Sequence, residues 1–106
     1  MTLKLVSLHH QIVTHLVEAL ESNNWKLTNI YCEGEKDPCT TADQLNKELD
    51  DMGELFACFT KDGKEHYVLL VAQNEKDVIS YWGYNDVDDF NDCMEAVIRD
   101  INEATS

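Results

Sequence analysis

ELFACFTKDGKEHYVLLVAQ, residues 54–73, decides the fold. Asp62-Gly63 stands between two apolar runs. That pair is the strongest short hairpin signal, because a type I′ turn needs positive φ at both central positions and Asp and Gly tolerate it. The predicted strands are Glu54–Lys61 and Lys64–Gln73. Tyr67–Ala72 is apolar on both faces, the pattern of a central strand covered by helices on at least one side. A polar Asn74–Lys76 turn leads to a third strand, Asp77–Tyr84, completing a β-meander.

Upstream of the meander, Thr41 and Gln44 form a capping box. Leu45, Leu49 and Met52 supply an apolar side, and Gly53 fits the position just past a short helix. Trp25–Glu33 alternates and is rich in β-formers, so it predicts a strand, with Gly34–Thr40 as a polar loop holding the only proline, Pro38. Residues 3–21 predict an amphipathic helix whose stripe is Leu5, Leu8, Ile12, Val13, Leu16, Val17 and Leu20. Ser22-Asn23-Asn24 ends it, since Asn tolerates the left-handed conformation. Downstream, Asp86 caps a last helix, 87–103, with Phe90, Cys93, Met94, Val97, Ile98, Ile101 and Ala104 inward. The expected fold is α+β, one domain over residues 1–106. About four mainly antiparallel strands run in the order α-β-α-β-β-β-α with flanking N- and C-terminal helices.

Composition narrows the function. The chain has 21 Asp and Glu against 8 Lys and Arg, a net charge of −13 in 106 residues. A small domain needs a net charge of only about 2–8 in magnitude for solubility. Such a field repels nucleic acid and anionic membranes and attracts cationic surfaces. No apolar run is long enough to span a bilayer, and the N-terminus lacks a signal peptide's continuous apolar stretch. The expectation is a cytoplasmic chain whose four cysteines are thiols.

The acid concentrates at the C-terminus, where Asp86, Asp88, Asp89, Asp92, Glu95, Asp100 and Glu103 meet a single base, Arg99. Part of it serves the helix: Asp86 is a good N-cap, and Asp88 and Asp89 in the first turn gain roughly 0.3–1 kcal/mol each from the dipole. Glu95 can pair with Arg99 at i,i+4. Asp100 and Glu103 lie at the end where the dipole disfavours carboxylates, so helix stability does not account for them. Two readings stand side by side, a solvated acidic face and a binding surface. Trp82 and Tyr84, just before this helix, are residue types enriched at interface hot spots and are candidate apolar anchors, although each could also pack at the helix–sheet junction.

Chemical motifs are absent or fail. Asp88-Asp89-Phe90-Asn91-Asp92 has the DDxxD pattern of terpene synthases, but that family needs a far longer helical chain. Asp86-x-Asp88 opens like an EF-hand, yet Phe90 and Asn91 stand where Asp or Asn and then Gly are needed. Cys32 and Cys39 are seven apart with no Cys-x-x-Cys; a zinc site with one of His9, His10, His15 or His66 is conceivable, and the acidic cluster suits loose, low-affinity binding of divalent cations. His9 falls in the apolar arc of the first helix, as a core histidine would, with His10 and His15 at its edges. No nucleophile turn, phosphate loop or basic patch is present. The expectation is therefore no enzyme, no cofactor and no direct nucleic-acid binding.

In composition the chain resembles toxin immunity proteins and phage-encoded inhibitors of host defence, anti-CRISPR proteins among them. That resemblance implies a protein–protein inhibitor of a basic nuclease or nucleic-acid-binding partner, with a carboxylate row imitating phosphates. Its contact surface would be Asp86, Asp88, Asp89, Asp92, Glu95, Asp100 and Glu103, with Trp82 and Tyr84. A small acidic α+β chain with a meander also resembles type III secretion chaperones, although the element order departs from theirs; this alternative implies an apolar groove for a protein client. A salt-rich habitat would explain the acid differently, but seven of the eight basic residues are lysine.

Overall fold

The computed structural model describes residues 8–72, 78–82 and 89–105, without the side chains of residues 8, 9, 80–82, 104 and 105. Asp86, Asp88 and Tyr84, and the side chains of His9, Tyr81 and Trp82, lie outside the described residues, as do residues 3–7 and the 74–76 turn. Among the described residues three helices and five strands follow one another: α1 (Leu8–Ser22), β1 (Lys26–Cys32), β2 (Glu35–Pro38), α2 (Ala42–Met52), β3 (Glu54–Lys61), β4 (Lys64–Val71), β5 (Ile79–Trp82) and α3 (Phe90–Thr105). The strands form one antiparallel sheet in the order β2-β1-β3-β4-β5.

The turn chemistry works where it was expected. Asp62 and Gly63 hold φ of 51° and 82° and join β3 to β4 in unbroken register from Glu54↔Val71 to Lys61↔Lys64. Helix α1 ends with Asn24 at φ 72°. There the Trp25 amide donates to Leu20 O and the Asn24 amide to Glu21 O, a Schellman motif that satisfies two orphan carbonyls and aims Trp25 inward. Thr41 caps α2 by accepting from the Gln44 amide, and Gly53, at φ 81°, closes it by donating to Leu49 O. The Gln44 side chain accepts from the Thr40 amide rather than from that of Thr41.

One element was missed. Residues 35–38, expected to be loop, form the edge strand β2, paired with β1 from Asn29↔Pro38 to Cys32↔Glu35, so the order is α-β-β-α-β-β-β-α. All four residues are exposed, and with no apolar face there is no alternation to read. Charge and a proline at the end suit an edge that must not pair further. The Glu33-Gly34 turn carries φ of 53° and 84°, so the hairpin is tight although Glu is a poor residue for it.

The strand side chains of the main core, Leu27, Ile30, Leu55, Ala57, Phe59, Val68 and Leu70, lie on one face, while buried Cys58 of β3 points to the other. Against them pack Ile12, Val13, Leu16, Val17 and Leu20 of α1, Leu45 and Leu49 of α2, and Phe90, Met94, Val97 and Ile101 of α3. Helix α1 lies between α2 and α3 and touches both. The architecture is two layers, helices on one side of the sheet. Among the described residues no helix is long and apolar enough to cross a membrane.

Candidate functional site

Helix α3 is held at its start by a polar knot. Asp89 immediately precedes it and its carbonyl accepts from the Cys93 amide. The Asp89 carboxylate accepts from Trp25 Nε1 at 2.9 Å and from Lys61 Nζ at 2.8 Å. Trp25 is fully buried, with Phe90 edge-on at 5.0 Å and His66 at 5.2 Å, while His66 stacks on Phe90 at 4.5 Å. The Lys61 ammonium lies 5.6 Å from the Trp25 ring centre. The hydrogen bond from Lys61 holds the Asp89 carboxyl below its ordinary value, and the same bond raises Lys61. Both Asp89 oxygens therefore serve the fold of this chain.

Beyond that knot, Asp92, Glu95, Arg99, Asp100 and Glu103 are all exposed. At 100° per residue Asp92, Glu95 and Glu103 share one stripe, with Arg99 inside it, and the stripe is about 16 Å long at 1.5 Å per residue. Asp92 and Glu95 have no ion-pair partner among the described residues. Asp100 leans aside, 3.4 Å from His15 Nε2 on α1. The contact is an ion pair only when His15 is protonated, and it is not a hydrogen bond. A similar pair, His10 Nε2 to Asp50 Oδ2 at 2.7 Å, joins α1 to α2 and borders a groove of about 670 Å³ that Gln11, Thr14, Asn46 and Lys47 also line.

The cysteines divide by burial. Cys39, Cys58 and Cys93 are buried thiols; burial, and then Glu48, pushes Cys39 up to about 11. Among the described residues no group of three His, Cys, Asp or Glu converges as metal ligands would.

The second face of the sheet, apolar in the sequence of Tyr67–Ala72, holds, among the described residues, none of those expected to form the site. Opposite the helices stand Tyr31, Phe56, Tyr67 and Leu69, none of them sealed from solvent. Tyr67 meets Tyr31 and Phe56 edge-on at 6.3 and 6.4 Å. Lys36 of β2 reaches Glu65 of β4 at 3.6 Å across this face, and Cys58 beneath is wholly buried. At one end, where the Glu33-Gly34 turn approaches the α2–β3 junction, a cleft of about 320 Å³ opens between Tyr31, Phe56, Leu69 and Met52, with Glu33 and Glu54 at its rim. The signal was present: Phe56 and Cys58 make β3 as apolar outward as Leu55, Ala57 and Phe59 make it inward.

No protein-family model matches the chain, and no curated protein or solved structure shows significant similarity to it.

Proposed function

We propose that this chain acts by binding rather than by catalysis, and that its target is a basic protein, a nuclease or a nucleic-acid-binding subunit, whose phosphate-binding site it occupies. A phage-encoded anti-defence inhibitor or a toxin-immunity protein works in this way. The observation that carries the reading is the exposed carboxylate stripe of α3, Asp92, Glu95 and Glu103, with Asp100 beside it, on a chain of net charge −13. Lys and Arg side chains that neutralise phosphates are drawn to such a row, which also speeds encounter with a cationic surface. The knot of Trp25, Asp89 and Lys61 anchors the start of α3 to the core, which limits the ordering entropy lost on binding.

The experiment is capture of partners by the purified chain, with duplex DNA as competitor. A nucleic-acid-binding protein that is released by DNA, and not captured once Asp92, Glu95, Asp100 and Glu103 are neutralised together, is the expected result. Capture unchanged by neutralisation contradicts the reading. The half-exposed aromatic face of the sheet favours a second reading, a chaperone or scaffold for a protein client. Binding that survives molar salt selects that alternative, because exposed charges are screened beyond about 3 Å at 1 M.

A further inference from the structure

We infer that the cleft at the end of the open sheet face receives an arginine side chain from a basic partner. Four observations converge there. Tyr31 and Met52, 39% and 49% exposed, are the two large apolar side chains most open to solvent among the described residues, and both line this cleft. Its other apolar walls are Phe56 and Leu69, and its rim carries two exposed carboxylates, Glu33 and Glu54. Their charges reach the cleft: Cys32, whose Sγ donates to Glu54 O at 3.6 Å, is pushed above the ordinary thiol value by burial and then by Glu33, Glu54 and Glu35. Finally, Glu33 sits at φ 53°, where Asn or Gly would be less strained. Local conformation therefore does not call for glutamate at this position.

An arginine matches this chemistry on both counts. Its aliphatic stem and planar guanidinium stack on aromatic rings, while its five donors pair with carboxylates in a fixed fork. An ammonium is more strongly hydrated and cannot stack in this way. A second copy of the chain is a poor occupant, since each would bring a charge of −13 to the contact. The inference rests on the reading of the partner as basic, but it uses the sheet face away from α3.

The test titrates the protein with a capped peptide carrying one arginine between leucines, and with its citrulline analogue, while the Met52 methyl is followed by NMR. Met52 and the amides of Glu33 and Phe56 should shift and saturate with the arginine peptide. Citrulline should weaken binding at least tenfold, and so should Glu33→Gln combined with Glu54→Gln, both exposed positions whose loss leaves the fold intact. Equal binding of the citrulline peptide would overturn the inference. So would shifts confined to residues 92–103 of α3, a result that leaves the basic-partner reading standing. An unmoved Met52 in a complex with a captured basic partner removes the cleft alone.

Discussion

The two faces of the central hairpin alternate along the same strands, yet they meet different surroundings. Phe59, Val68 and Leu70 turn towards the helices and are wholly buried. Phe56, Tyr67 and Leu69 turn the other way and remain partly open, with no described element over them. A strand that is apolar on both sides reads as buried on both sides, so the open face carries more aromatic surface than a one-sided sheet requires. The far end of the same face, with Thr60 and Glu65, shows what a solvent-facing sheet ordinarily uses. Contiguous exposed apolar surface marks interaction sites in soluble proteins. Folding accounts for the first face but not for the aromatic surface left open on the second.

The most severe change to this comparison is Phe59→Ala, which empties the sealed side. A loss of about 3–5 kcal/mol is expected from the denaturant midpoint, with the slope unchanged. Asp89→Ala comes next: it leaves the buried Trp25 N–H without its acceptor, at about 1–3 kcal/mol. Asp89→Asn keeps an acceptor and costs less. It also shows the pH behaviour, because the Asp89 carboxyl is held below its ordinary value by Lys61. That contribution is complete above about pH 4 and is lost as pH falls through the lowered folded value. The wild-type advantage over Asp89→Asn should therefore shrink in acid, as read by denaturation at a series of pH values.

Phe56→Ala tests the open face directly. Its ring is only partly open, so the loss should fall below the about 3–5 kcal/mol of Phe59→Ala, while partner affinity drops about tenfold, the value of one modest hot-spot contact. If Phe56→Ala unfolds the chain as readily as Phe59→Ala, the distinction between the faces fails. Smallest in stability is Glu33→Gln with Glu54→Gln, expected within about 0.5 kcal/mol of wild type by thermal unfolding. A large loss there would make the rim structural.

Much of this fold was legible because local chemistry and tertiary structure agree. Asp62-Gly63, Asn24, Thr41 and Gly53 each hold the turn or cap their residue type favours. Strand β2 was not legible, since Glu35-Lys36-Asp37-Pro38 gains its pairing from β1 and offers no apolar periodicity of its own. The acidic stripe of α3 could be read from helical spacing. The internal engagement of Asp89 could not, because Trp25 reaches it from 64 positions away along the chain. The cleft depends on two turns that meet only in the folded sheet, so no window of sequence contained it.

The most direct measurement is the dissociation constant of the captured partner from about 0.1 to 1 M salt, for wild type and for the variant with Asp92, Glu95, Asp100 and Glu103 neutralised. The account predicts wild-type affinity falling steeply with salt, and a variant that binds at least tenfold more weakly at low salt with a flatter dependence. Superimposable curves for the two proteins would contradict it, leaving the α3 row as solvated surface.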